Sequence, residues 1–253
     1  MVPGAAPVAS WSTVTERVLV VGRGARSEAI STAGCRAAGI GIVHRRSGGG
    51  PVLWDAGLLG LDVVLPPAHP LADRDVARAY AWIGMAIASA LRALDVPATA
   101  IPLAAARVAQ ARTDPLHLLA ARACFGGISP FEVIGPDGRK CVGLSQVRRP
   151  QGTIFQCGIA LDFDPRTLAR ALSPEPADTD ALDAAFAAYA GGIRAYQPDL
   201  TDAAVIAAIE AAFVTELGVR LRTDAPTAPE IAHENVLAVS LVASGAARPP
   251  AAP

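Results

Sequence analysis

Three apolar runs joined by two tight turns lie between positions 131 and 163, and they restrict the possible folds most. Residues 131–134, 139–147 and 153–163 each have the length and apolar, β-branched character of a strand. Gly135-Pro-Asp-Gly138 links the first pair, and Arg148-Arg-Pro-Gln-Gly152 links the second. Connections this short can only join antiparallel neighbours. The segment therefore predicts a β-meander, and the chain must build an antiparallel sheet around it.

Lys140 lies at the start of the second strand. It is the only lysine in the chain, although Lys and Arg together number 22. A chain that writes almost every positive charge as arginine has little need of lysine for solubility. A compact ammonium suits a small oxyanion or carboxylate better than the wide guanidinium fork does. Gly143 follows in the same strand, where a missing side chain permits close approach of a ligand.

The remaining pattern alternates strands with helices. Strands are expected at 17–22, 39–44, 51–54 and 60–65. Helices are expected at 27–38, 73–94, 165–172, 180–190 and 201–217, with shorter helical pieces at 103–110 and 115–123. In the 73–94 segment Val76, Tyr80, Ile83, Ile87, Leu91 and Leu94 form one apolar stripe. Val205, Ile209, Phe213 and Leu217 do the same in the 201–217 segment, with Thr201 as its cap. Residues 174–180 read as a linker. The expected organisation is a loose lead over 1–16, one domain over 17–222 whose part from 174 is helical, and a Pro/Ala-rich tail over 223–253 containing one apolar run at 236–242.

Net charge is −1, so no global field recruits nucleic acid or an anionic membrane. No stretch of about 18 apolar residues suggests a membrane span. The first ten residues lack the features of a signal peptide. The four cysteines, Cys35, Cys124, Cys141 and Cys157, form no CxxC pair and no zinc spacing. A reduced, cytoplasmic protein is expected. Cys35, Cys141 and Cys157 read as core residues, with Cys141 pointing away from Lys140 if its strand is regular. His44, His69, His117 and His233 are scattered, and none is assigned to metal. His44 borders the next feature.

That feature is Arg45-Arg46-Ser47-Gly48-Gly49-Gly50-Pro51-Val52, with Asp55 just beyond. Three successive glycines are costly in backbone entropy. Their N–H groups can line an anion-binding concavity, and the arginines add charge-assisted donors. Gly22-Arg-Gly24 also opens a strand-to-helix turn of dinucleotide-fingerprint type. The acid that would grip a ribose is absent about 20 residues on, where His44, Arg45 and Arg46 stand instead. A dehydrogenase reading is weak for that reason.

The loop at 45–52 with Asp55, followed by Gly138-Arg-Lys140-Cys-Val-Gly143, resembles the lipoate–protein ligase and octanoyltransferase family, whose catalytic domain is related to that of biotin–protein ligases. The resemblance spans roughly residues 17–215. It implies an α/β (α+β) fold, with a mixed, largely antiparallel sheet and packed helices. It also implies a pocket bringing Arg45–Gly50 and Lys140 together over an apolar tunnel. Arg45, Arg46, Ser47, Gly48, Gly49, Gly50, Val52, Asp55, Gly143 and Ser145 are then substrate-binding candidates, and Lys140 is the catalytic residue. As a ligase, the protein would use ATP, with magnesium, to activate lipoate or octanoate as an acyl-adenylate. It would then attach the acyl group to a lysine of a lipoyl carrier domain, from a 2-oxoacid dehydrogenase complex or the glycine cleavage system. The family commonly has His-Asp after the glycine loop; this chain has Trp54-Asp55.

Two rival readings accompany the ligase. One octanoyltransferase branch of the family uses a cysteine upstream of the lysine as an acyl-thioester nucleophile, and Cys124 stands in that position. In that case no ATP is used and an acyl carrier protein can be the donor. The triple glycine favours the ligase. The third reading is a non-catalytic binder of a lipoyl group or lipoyl domain.

Overall fold

The computed structural model describes residues 6–23, 30–173 and 175–225. The tail beyond 225, with its apolar run at 236–242, and Gly24 and Ser27 of the strand-to-helix turn lie outside them. The predicted meander forms as β7 (Val133–Ile134), β8 (Lys140–Arg149) and β9 (Gly152–Ala160). It sits within a six-stranded sheet, which also holds β1 (Val8–Ser12), β5 (Leu58–Leu65) and β6 (Thr99–Ala100). The strand order is β1-β5-β9-β8-β7-β6, and every pairing is antiparallel. A second sheet of order β3-β2-β4 is built from β2 (Val18–Val21), β3 (Gly41–His44) and β4 (Val52–Trp54). Its β2–β3 pairing is parallel.

Strand alternation gives each sheet two different faces. On the large sheet, Leu59, Leu61, Val63, Phe155, Ile159 and Val142 belong to the main core. The helices α2 (Ala81–Ala93) and α7 (Asp202–Leu217) cover that face through Ile83, Ile87, Leu91, Val205, Ile209 and Phe213. On the small sheet, Leu19, Val21 and Leu53 pack against α1 (Thr32–Ala37), α5 (Pro165–Leu172) and α6 (Pro176–Tyr189). Two further short helices, α3 (Leu103–Gln110) and α4 (Pro115–Ala120), lead toward Cys124. The remaining face of each sheet looks toward the other, and the space between them holds the site.

Four expectations need correction. Residues 8–12 are not a loose lead, since they pair along β5 from Val8–Val64 to Ser12–Gly60. The helix expected at 73–94 begins at Ala81, after a 3₁₀ turn at Arg78–Tyr80. The carboxylates of Asp73 and Asp75 accept from the amides of Asp75, Ala77 and Arg78. Such local bonds compete with helix, and Val76 is left exposed. Residues 176–180 are no linker but the first turns of α6, which proline tolerates at its first position. Finally, β8 is not regular. Ile134 pairs with Lys140 and Val133 with Val142, leaving Cys141 as the extra residue of a bulge. Cys141 and Val142 both turn to the main core. Lys140 and Gly143 therefore share the opposite face, which a strict two-residue period forbids.

No helix among the described residues is long and apolar enough to cross a membrane.

Candidate active site

The glycine-rich loop leaves β3 and is anchored from below by β2 and the turn after it. Arg45 N–H donates to the Val21 carbonyl, and Arg23 N–H donates to the Ser47 carbonyl. The Arg45 guanidinium folds back on its own loop, its Nη2 donating to the carbonyls of Gly48 (2.9 Å) and Gly50 (3.1 Å). That brace fixes the curvature that three glycines would otherwise leave free. Gly49 adopts a left-handed backbone (φ 101°). Gly22 lies directly beneath it, where any Cβ would collide with the Gly49 carbonyl. The Gly22-x-Gly24 bait therefore contributes Gly22 as a floor for this loop. Gly22→Ala should displace the loop at a cost of about 1–3 kcal/mol, which chemical denaturation would measure.

Cys124 follows α4 and docks against the loop. Its N–H donates to the Pro51 carbonyl (3.0 Å), and a Cβ placed on Gly49 would lie 3.7 Å from its Sγ. Lys140 holds the same residue from the other side. Its Nζ donates to the carbonyls of Cys124 (2.7 Å) and Gly127 (3.0 Å) and to the Glu132 carboxylate (2.8 Å). The lysine side chain is 2% exposed, and the ammonium also lies 5.3 Å from the Phe125 ring centroid. All three of its donors are thus occupied by protein groups.

Glu132 is equally buried. It accepts from the amides of Ser129 (2.7 Å) and Leu144 (3.1 Å) as well as from Lys140. Burial pushes its carboxyl above the usual carboxylate range, opposed by the Lys140 ammonium and those two amides. The residue before it, Phe131, is held in a left-handed backbone (φ 65°). Its carbonyl presses on Gly84 of α2, where a Cβ could not fit. A strained non-glycine residue of this kind persists only where its surroundings fix it.

Beside Cys124 opens a slot of about 190 Å³ between the two sheets. Val20, Val52 and Trp54 line it from the small sheet, and Gly143, Ser145, Gln156 and Gly158 from the large one. Arg45, Cys124, Phe125, Leu144 and Cys157 complete its wall. The slot thus has a thiol and the glycine-rich loop at its side.

Comparison with known proteins gives the family. The family described as the lipoyl protein ligase A/B catalytic domain matches residues 4–214. The chain belongs to that family. It is therefore an enzyme of lipoyl or octanoyl transfer. It is 33% identical over 201 residues to the octanoyltransferase LipM of Kyrpidia tusciae, covering 77% of this chain and 69% of that protein. Its fold is similar to that of a bipartite lipoate protein ligase from Thermoplasma acidophilum (TM-score 0.71, 19% identity, 92% of this chain and 80% of that one). It is also similar to a lipoate-protein ligase A bound with ATP (TM-score 0.69, 18% identity, 92% and 82% covered).

The lipoyl-ligase motifs meet in space, but not as one ring around a cavity. Arg45, Val52, Gly143 and Ser145 line the slot with Cys124. Gly49 and Gly50 pass over Cys124, where a Cβ on Gly50 would meet the Cys124 amide at 2.8 Å, while a Cβ on Gly48 would meet nothing within 4 Å. Ser47 is buried, and its hydroxyl has no hydrogen-bond partner among the described residues. Arg46 and His44 are exposed at the loop's outer edge. Asp55 turns away, accepting from the Gly57 amide (2.9 Å) and bordering a separate cavity of about 20 Å³. Lys140 lies beneath Cys124 and outside the slot lining. Among the described residues no group of three His, Cys, Asp or Glu could hold a metal ion.

Sequence reasoning missed Glu132 and Phe125 as site residues. Glu132 had a usable signal: a lysine opening an apolar strand must find a carboxylate, and Glu132 stands one hairpin away. Of the four cysteines, only Cys124 is not buried. Burial raises the Cys35 and Cys157 thiols and pushes Cys141 up to about 12. Iodoacetamide at neutral pH should therefore add one carbamidomethyl group to the native protein, at Cys124. Peptide mapping checks the position, and labelling of any other cysteine under native conditions contradicts the assignment.

Proposed function

We propose that this enzyme moves an octanoyl group from a thioester donor to a lysine of a lipoyl carrier domain, with Cys124 as the nucleophile. The observation that carries this reading is the position of Cys124. It is the one non-buried thiol, it flanks the acyl-sized slot, and it is gripped through its N–H by Pro51 and through its carbonyl by Lys140. The similarity to octanoyltransferase LipM points the same way.

In the first step the Cys124 thiolate attacks the donor carbonyl carbon. The carbon–sulfur bond to Cys124 forms, the bond to the donor sulfur breaks, and the donor leaves as a thiolate that takes up the proton Cys124 released on ionising. In the second step the neutral amine of the acceptor lysine attacks the acyl-cysteine. An amide forms, Cys124 is released, and the proton lost by the amine returns to its sulfur. Each step passes through a tetrahedral oxyanion, which amides of the glycine-rich loop are suited to receive. Covalent catalysis of this kind splits one difficult transfer into two easier ones. Lys140 acts here as a positioning residue, because its donors hold the carbonyls of Cys124 and Gly127 in place. An acyl carrier protein is the natural donor, and the carrier domains of 2-oxoacid dehydrogenase complexes or of the glycine cleavage system are the natural acceptors.

The ATP-dependent ligase, preferred from the sequence, becomes the second reading. The triple glycine and the fold shared with an ATP-bound lipoate-protein ligase A favour it. There, lipoate or octanoate with ATP and magnesium would give an acyl-adenylate, and Cys124 would be a bystander. Intact-mass spectrometry after incubation with octanoyl carrier protein separates the two. An octanoyl adduct on Cys124 supports the transferase. Adenylate formed from octanoate and ATP, with no protein adduct from the thioester, overturns it.

A further inference from the structure

Three glycines stand side by side across the slot face of the large sheet. Gly143 of β8 pairs with Gly158 of β9, and Gly158 pairs with Gly60 of β5. The row carries no side chain of its own across the strands; Lys140 Cε and Phe125 lie beside Gly143, and Leu58 and Phe125 beside Gly158. Glycine weakens a strand interior and marks places where something approaches the backbone closely. Gly143 and Gly158 line the slot beside Cys124, and Gly60 does not. Gly60 is covered instead: a Cβ there would lie 3.0 Å from the six-membered ring of Trp54 and would strike the Ser12 hydroxyl of β1. Trp54 itself lines the slot. Its indole therefore stands on the third glycine and closes the row at β5, while Phe125 walls it at the other two.

We propose that Trp54 is the end stop of the acyl slot and sets the length of chain the enzyme accepts. The inference rests on reading the slot as the acyl site. Neighbouring strands lie about 4.8 Å apart, and with Gly60 under the indole only Gly143 and Gly158 of the row border the slot. The slot volume of about 190 Å³ holds roughly six groups of the size of a water molecule, which is the scale of a medium-chain acyl group. Removing the indole uncovers Gly60 and lengthens the slot by up to one strand spacing, or about four carbons.

The test offers the full chain and its Trp54→Ala variant a mixture of straight-chain acyl-coenzyme A thioesters from hexanoyl to tetradecanoyl. The adducts on Cys124 are read by intact mass. In parallel, calorimetry measures binding of the free fatty acids to Cys124→Ser proteins with and without Trp54→Ala. The wild type should favour octanoyl. Trp54→Ala should raise the dodecanoyl-to-octanoyl ratio about tenfold or more, since each methylene added to an apolar slot strengthens binding about three- to fourfold. An unchanged optimum in Trp54→Ala overturns the end-stop assignment. A wild type that forms no adduct with any thioester overturns the Cys124 reading alone, and the fatty-acid series still judges Trp54. Trp54→Leu, which keeps apolar cover over the strand, repeats the comparison if the alanine variant melts early.

Discussion

Replacing Cys124 with serine should lower octanoyl transfer from a thioester donor by at least about 10³-fold and abolish the acyl adduct on the protein. Serine preserves the size of the side chain and leaves the backbone bonds to Pro51 and Lys140 intact. The variant should therefore melt within a few degrees of the wild type. What is lost is the nucleophile, because a hydroxyl without an adjacent base is a far weaker one than a thiol. The other cysteines cannot substitute, being buried with their thiols pushed up. Robust lipoate or octanoate attachment by Cys124→Ser in the presence of ATP would establish the ligase instead. If the variant lost ATP-dependent and thioester-dependent transfer together while remaining folded, Cys124 would have to serve positioning as well as chemistry.

The second large effect concerns Glu132. Glu132→Ala leaves the Lys140 ammonium buried with only two carbonyls for company. Breaking a buried ion pair from one side costs about 3–5 kcal/mol, which chemical denaturation would measure. Lys140→Met should cost less, because a carboxyl already pushed up by burial can take a proton and become neutral. That difference has a pH signature. With its pKa raised in the folded state, Glu132 binds its proton more tightly there than in the unfolded chain. The stabilisation is then present below the ordinary carboxylate value near pH ~4 and is lost as pH rises through the folded-state value. The stability deficit of Lys140→Met should accordingly shrink as pH is lowered, and a deficit that grows toward acid would contradict this account. Positioning by Lys140 is a separate matter from stability. In Glu132→Ala/Lys140→Met the unpaired charge is gone, so part of the stability should return. Formation of the acyl-enzyme should remain slow, because the carbonyls of Cys124 and Gly127 have lost their common donor. Full recovery of both would reduce Lys140 to a structural residue.

Much of this was legible from local pattern. The meander followed from two tight turns between apolar runs. The helix at 201–217 followed from a Thr cap and a four-residue stripe, and the structure realises both. A lone lysine and a triple glycine stood out because their residue types are unusual whatever surrounds them, and the structure brings both against Cys124. Errors arose where side chains compete with the backbone or where partners are remote. Asp73 and Asp75 tied up amides that a helix would have used. Residues 8–12 looked unstructured because their strand partner, β5, lies some fifty positions away. The bulge at Cys141 was invisible for a related reason: a change of register belongs to a pair of strands and cannot be read from one.

The sequence by itself determined which elements form and which residue types are available to chemistry, since propensity, periodicity and turn preference act over a few residues. Only the tertiary structure decided what those residues do. It carried Gly49 over Cys124 across 75 positions, spent the three donors of Lys140 on the carbonyls and carboxylate beneath that cysteine, and set Trp54 on Gly60. Each of these contacts depends on how two sheets face one another, a geometry fixed by the packing of both cores at once.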